Sequence, residues 1–263
     1  RPISDMSEKF NILQSAMASS ERIFTLLDTP VKTQSPTKPT PRPAPANGRI
    51  EFDGVWFAYG DDNYVLRDVS FVVEPGERIG IVGATGAGKT TIINLLMRFY
   101  DVSRGRILVD GIDVRELSLS DLRGLSSLVL QDAHLFAGSI AANVRLGDQT
   151  ITDAEIRAAI TSVHAKPFID QLPAGLASPV AERGATLSVG QKQLLTFARA
   201  LVYEPRVLVL DEATSSVDTE TEVLIQDALR VLMKGRTTIA IAHRLSTIQD
   251  MDRILVLHKG QLR

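Results

Sequence analysis

The chain has 263 residues, 44% of them hydrophobic, a formal charge of −2 and no cysteine. That length and apolar fraction can fill the core of one large domain, or of one domain with an appendage. Lys and Arg are spread among acids, which argues against nucleic-acid binding; the lack of cysteine excludes disulfides and thiolate metal sites and fits a reducing compartment.

Ile3, Met6, Phe10, Leu13, Met17, Ser20, Phe24 and Leu27 recur three and four apart, one apolar stripe that predicts a helix over residues 1–28. Asp5, Glu8, Lys9, Glu21 and Arg22 interrupt it too often for a bilayer span, so it reads as a helix packed on a neighbouring helix or as the cytosolic tail of a membrane helix. No stretch approaches ~18 consecutive apolar residues, and there is no signal-peptide pattern. Residues 29–48 hold Pro30, Pro36, Pro39, Pro41, Pro43 and Pro45 with Lys32, Lys38 and Arg42 and no acid, the composition of a stiff, solvated linker.

From Arg49 the pattern changes to short strands: Ile50, Phe52, Val55 and Phe57, then Val69, Phe71 and Val73 before the Pro75-Gly76 turn. These predict a small N-terminal antiparallel β layer. Runs that read as buried strands at 79–82, 207–210, 238–242 and 254–257 alternate with helical stretches at 90–99 and 191–202. Strand, helix, strand order predicts an α/β fold with a mostly parallel sheet, its strands buried on both faces. Residues 132–185 show little strand signal and several helical segments, including 153–163, so a helical subdomain is expected at about 132–200.

The segment Gly83-Ala84-Thr85-Gly86-Ala87-Gly88-Lys89-Thr90 fits GxxxxGK[ST], follows the strand at 79–82 and opens an apolar helix, which is the context this phosphate loop requires. Glycines let backbone N–H groups close on phosphate oxygens, the helix start adds positive potential, Lys89 reaches the terminal phosphates and Thr90 can ligate Mg²⁺. Asp211 and Glu212 follow the run at 207–210, so they emerge at the carboxyl edge of a parallel sheet, where its ligands bind. Asp211 is suited to the Mg²⁺ shell and Glu212 to polarising a water. Ser188 and Gln191 form a capping-box pattern at the head of the helix carrying Leu194, Leu195, Ala198 and Leu201. Alone that pattern is only a well-capped helix, but Gly190 disfavours helix there, and close approach of a phosphate is the expected reason for it. His134, His164, His243 and His258 show no metal-ligand spacing.

Together these segments resemble the nucleotide-binding domain of an ABC transporter, more narrowly of an ABC exporter, from about Arg49 to Gly260. The resemblance implies a P-loop NTPase core using ATP and Mg²⁺. Tyr59, in VWFAYG, would stack on adenine with Val65 nearby, the alternative being a strand aromatic facing the core. Gly83, Thr85, Gly86, Ala87, Gly88, Lys89, Thr90 and Thr91 would hold the phosphates, with Thr90, Gln131 and Asp211 on Mg²⁺. Glu212, His243, Lys89 and Gln131 would be catalytic; Glu182-Arg183-Gly184 matches the exporter-type loop ahead of the signature LSVGQ, and Asp218 the dimer-contact loop. Ser188, Gly190 and Gln191 would serve a second domain's nucleotide.

By the same resemblance residues 1–28 would continue a missing transmembrane helix, 29–48 would be a linker, and 49–263 would be a nucleotide-binding domain lacking its C-terminal end. The implied partners are a transmembrane domain of the same parent chain and a second nucleotide-binding domain, at the cytoplasmic face of the cell membrane. Peptide, lipid, drug and polysaccharide cargoes stay open. Val189 stands where the signature usually has glycine, which points to a heterodimer rather than a homodimer. The dimer-contact loop reads SSVD instead of the commoner SALD. The rival readings fit less well. A soluble ABC-type ATPase calls for a second cassette, a coiled-coil insertion or a basic surface. A regulatory binder calls for loss of Glu212 or His243, and a P-loop kinase or GTPase leaves LSVGQ and His243 unexplained.

Overall fold

A computed structural model describes residues 2–60, 63–130, 132–211, 219–241 and 245–263. The chain divides into two units, residues 1–34 and 35–263. The first is dominated by α1 (Pro2–Leu27), whose stripe of Met6, Phe10, Leu13, Met17, Phe24 and Leu27 is more than half exposed at every position. It ends where Asp28 N donates to Phe24 O and Thr29 Oγ1 to Thr25 O, one residue before Pro30, which has no N–H to continue the ladder. Among the described residues no helix is long and apolar enough to cross a membrane.

The second unit opens ahead of Arg49, because part of the Pro-rich stretch is laid onto it. Proline supplies no N–H, so the intervening residues make the ties: Ser35 Oγ accepts from Leu119 N (3.0 Å), Thr40 N donates to Glu116 O (2.9 Å) and Asn47 N to Asp110 Oδ2 (2.9 Å). The Arg49 boundary expected from composition therefore lies inside the compact unit, not at its edge.

The unit then runs through β1 (Ile50–Phe57), β2 (Leu66–Val73), β3 (Arg78–Val82), α2 (Lys89–Leu96), β4 (Arg104–Val109), β5 (Ile112–Asp113), α3 (Leu119–Gly124) and β6 (Ser126–Val129). Next come β7 (Gly138–Ser139), α4 (Ile140–Arg145), α5 (Asp153–Ser162), α6 (Lys166–Asp170), β8 (Pro179–Val180) and α7 (Val189–Val202). It closes with β9 (Val207–Asp211), α8 (Thr219–Met233), β10 (Thr237–Ile241), α9 (Leu245–Gln249), β11 (Arg253–His258) and β12 (Gln261–Leu262). Two main sheets result: antiparallel β2-β1-β4-β5, and β12-β11-β3-β10-β9-β6, parallel except for the β12 edge. This is the expected α/β architecture, with β4, β5 and β6 added to it.

The central strands show why their apolar runs are uninterrupted. On β9, Val207 and Val209 join a core shared with α2 and the antiparallel layer, while Leu208 and Leu210 join a second core with α7 and α8. On β10, Ile239 and Ile241 face the first core and Ala240 the second. Successive side chains point to opposite faces, so a strand covered on both sides must be apolar throughout. In the antiparallel layer Phe52 and Phe71 are cross-strand partners with rings stacked at 4.5 Å and 13°, worth about 0.5–1.5 kcal/mol beyond burial. The second core continues into α4, α5 and α6, which pack as a helical arm; the short β7–β8 pair sits within this region, where the composition shows little strand signal.

Candidate functional site

The phosphate loop leaves β3 at Val82 and enters α2 through Gly88, whose φ of 105° places the helix N-cap in left-handed backbone. A side chain on Gly83 would put Cβ 2.2 Å from the Leu257 carbonyl oxygen of the neighbouring strand β11, a backbone atom that cannot swing aside. The loop is anchored again where Gly260 N donates to Ala87 O at 3.1 Å. Leu257 and Gly260 are thus supports of the loop that motif reading did not single out. Lys259-Gly260 is visible as a turn, but nothing local says what the turn touches.

Lys89 is buried, and its ammonium donates to Gly83 O (2.8 Å) and Ala84 O (3.1 Å), bridging the loop's own carbonyls. A multiply charged anion within reach would compete for that ammonium, since it adds charge–charge attraction that a neutral carbonyl acceptor lacks. Thr85, Gly86 and Thr90 are exposed along the crown of the loop, while Ala87, Gly88 and Thr91 are buried beneath it. Val65 lies beside Gly88, its carbonyl oxygen 3.4 Å from where a Gly88 Cβ would stand. Tyr59 lies just past β1, half exposed, with its hydroxyl 3.1 Å from Thr91 Oγ1. It is not a strand aromatic facing the core. The structure therefore gathers Tyr59, Val65 and Gly83 to Thr91 around one loop and one helix start.

Asp211 ends β9 two strands from the loop. Register fixes the spacing: Ile241 of β10 pairs with Ile81 of β3 on one side and with Asp211 on the other. Two strand spacings put the Asp211 backbone about 10 Å from the root of the phosphate loop, on the same carboxyl edge. Gln131, Glu212, Asp218 and His243 lie outside the described residues. Among the described residues no group of three or more His, Cys, Asp or Glu could hold a metal alone. A metal here needs oxygens from elsewhere, as Mg²⁺ takes them from bound phosphates and water.

Ser188, Gly190 and Gln191 stand on a different element, the first turn of α7. The capping box is closed: Gln191 N donates to Ser188 Oγ (3.2 Å) and Ser188 N to Gln191 Oε1 (2.9 Å). At Gly190 the structure adds a second reason for glycine. The residue is buried against α8, where an added Cβ would lie 2.1 Å from Thr221 Cγ2, so packing of the two helices favours glycine here independently of any phosphate. Val189, by contrast, is 52% exposed and leaves the cap intact.

A phosphate loop on a buried parallel sheet, with an antiparallel layer beside it and a helical arm carrying LSVGQ, defines a P-loop nucleotide-binding domain. The chain belongs to the ABC transporter family, whose model matches residues 66–215. It is 49% identical over 261 residues to the "Fatty acid ABC transporter ATP-binding/permease protein" of Mycobacterium bovis, covering 99% of this chain and 41% of that protein. It is 46% identical over 264 residues to the "Probable multidrug resistance ABC transporter ATP-binding/permease protein YheH" of Bacillus subtilis, covering 100% and 38%. Among solved structures, "Structure of a bacterial Atm1-family ABC exporter with ATP bound" matches with a TM-score of 0.83 and 41% identity, over 96% of this chain and 44% of that one. The chain thus spans less than half the length of these proteins.

Proposed function

We propose that this chain is the ATP-binding and ATP-hydrolysing part of an ABC exporter, acting in a pair of such domains at the cytoplasmic face of a membrane. The observation that carries this reading is the strand register holding the phosphate loop and Asp211 on one sheet edge, about two strand spacings apart. That gap suits the terminal phosphates of a nucleotide. The whole-length relatives combine an ATP-binding part with a permease, which supports a transmembrane domain in the parent chain.

In this reading the backbone N–H groups from Thr85 to Thr91 cradle the phosphates, and Lys89 exchanges its two carbonyl acceptors for phosphate oxygens. Tyr59 and Val65 receive the base. The hydroxyl, amide and carboxylate oxygens of Thr90, Gln131 and Asp211 are the donor type that would hold Mg²⁺, which neutralises phosphate charge when bound. Glu212, next in sequence to Asp211, orients and polarises the attacking water, and Lys89 and His243 stabilise charge developing on the γ-phosphate. Ser188, Gly190 and Gln191 close on the nucleotide of the second domain, with Asp218 at the contact between the two. Val189 points to a second domain of different sequence. Cargo is set by the membrane part, and the named relatives differ in it: one is a fatty acid transporter, another a probable multidrug resistance transporter.

The test separates binding from turnover. Glu212→Gln in the assembled transporter is expected to keep ATP affinity and to lower phosphate release about a hundredfold or more. Turnover unchanged in that variant would overturn the assignment. Lys89→Ala is expected to abolish ATP binding itself.

A further inference from the structure

Tyr59 sits on a surface loop at 51% exposure, where a side chain ordinarily samples several rotamers. Three elements restrain it here. Its ring meets Phe57 of β1 edge-on at 4.8 Å and 84°, and Tyr100, in the segment after α2, at 5.0 Å and 90°. Its hydroxyl lies 3.1 Å from Thr91 Oγ1 and accepts from Asn94 Nδ2 at 3.2 Å. Thr91 and Asn94 are three residues apart on α2, so they share one face of that helix. The Asn94 amide donates to the phenol oxygen, and between Tyr59 and Thr91 either hydroxyl can donate to the other, so both bonds can be made at once.

Because both polar partners belong to α2, the phenol is fixed relative to the phosphate loop that opens the same helix, rather than only to its own loop. We propose that Asn94 is a positioning residue for base recognition: with Thr91 it sets the Tyr59 ring before the nucleotide arrives, so stacking requires little further ordering. A ring held in advance binds more tightly than a free one by the ordering cost of one side chain. Asn94 touches neither base nor phosphate in this scheme, and its contribution is confined to the base. The inference rests on the reading of Tyr59 as the stacking residue.

The experiment measures dissociation constants of the 263-residue chain for Mg-ATP and for inorganic tripolyphosphate, which lacks a base, by calorimetric titration. Asn94→Leu is expected to weaken ATP about three- to tenfold and to leave tripolyphosphate unchanged. Asn94→Asp, whose carboxylate can take the phenol proton while Thr91 donates back, is expected to restore the ratio of the two constants, even where added charge weakens both. Equal weakening of both ligands by Asn94→Leu, or of neither, overturns the role of Asn94, and thermal unfolding of the variant identifies a folding defect. Tyr59→Ala separates this from the underlying reading. A ratio collapsed in Tyr59→Ala but intact in Asn94→Leu defeats the Asn94 inference alone, whereas a ratio unchanged in Tyr59→Ala defeats the base-stacking assignment itself.

Discussion

Gly190 illustrates how one residue can carry two explanations that a substitution separates. Replacing it with alanine gains at most about 1 kcal/mol of helix propensity. The new Cβ, however, would fall 2.1 Å from Thr221 Cγ2 and force α7 away from α8, at about 1–3 kcal/mol. Overlap wins, so Gly190→Ala should lower the urea midpoint of unfolding. Thr221→Ser removes the obstructing methyl and keeps the hydroxyl, and in the double variant most of the loss should return, a coupling visible in a double-mutant cycle. Additive losses would show that Thr221 is not the reason for glycine. Such a demand cannot be read from the sequence: Ser188 and Gln191 announce a helix start three residues apart, whereas Thr221 meets Gly190 only after β9 has intervened. Leu257 below Gly83 and Asn94 beside Tyr59 were illegible for the same reason, while GxxxxGK[ST] was legible because its spacing is local.

Between elements, polar ties hold pieces that apolar packing alone leaves free. Asp252, just ahead of β11, accepts from Arg78 N (2.9 Å), Nε (3.1 Å) and Nη2 (2.7 Å) at the start of β3, locking two parallel neighbours in register. The hydrogen bonds from the Arg78 guanidinium hold the Asp252 carboxyl below its ordinary value. A depressed carboxylate stabilises the fold above its unfolded pKa of about 3.9, and that contribution is lost as pH falls through the lower folded value. Both side chains are partly exposed, so Asp252→Asn should cost only about 1 kcal/mol at neutral pH, with the difference from wild type vanishing well below pH 4. A deficit that persists in strong acid would locate its cause elsewhere. Arg199 of α7 behaves differently. It is largely buried, with burial pushing its guanidinium pKa down, and donates to His134 O, Asn143 O and Asn143 Oδ1. Arg199→Leu would leave the His134 and Asn143 carbonyl oxygens without this donor, while Asn143 Oδ1 keeps Phe136 N (2.8 Å), and would weaken the tie between the 134–143 segment and α7. We expect a loss of about 2–4 kcal/mol in chemical unfolding, larger than for any surface arginine.

For the molecule as a whole, β9 and β10 were readable because strands buried on both faces carry apolar runs; the same signal misled at β11, where Ile254 and Val256 are exposed and only Leu257 is buried. The β6 strand was not readable, since Ser126 and Ser127 carry no apolar signal and it joins the sheet edge through its backbone pairing with Val207 and Leu208. What the chain does as a unit depends on a division already visible in it: the phosphate loop opens α2, and LSVGQ opens α7 on the helical arm. If each hydrolytic site is built from the loop of one domain and the LSVGQ turn of another, two inactive variants can repair one another. A Lys89→Ala copy has no working phosphate loop but keeps Ser188, and a Ser188→Arg copy has the reverse. Each alone is expected to be inactive. Mixed dimers contain one complete site of two and form half of a random population, so an equal mixture should recover about a quarter of the wild-type rate. The wild-type chain should hydrolyse ATP with a rate that climbs faster than linearly with protein concentration. Steep concentration dependence without complementation would overturn the shared site; a wild-type rate strictly proportional to protein would assign the second surface to a different chain, the arrangement to which Val189 points.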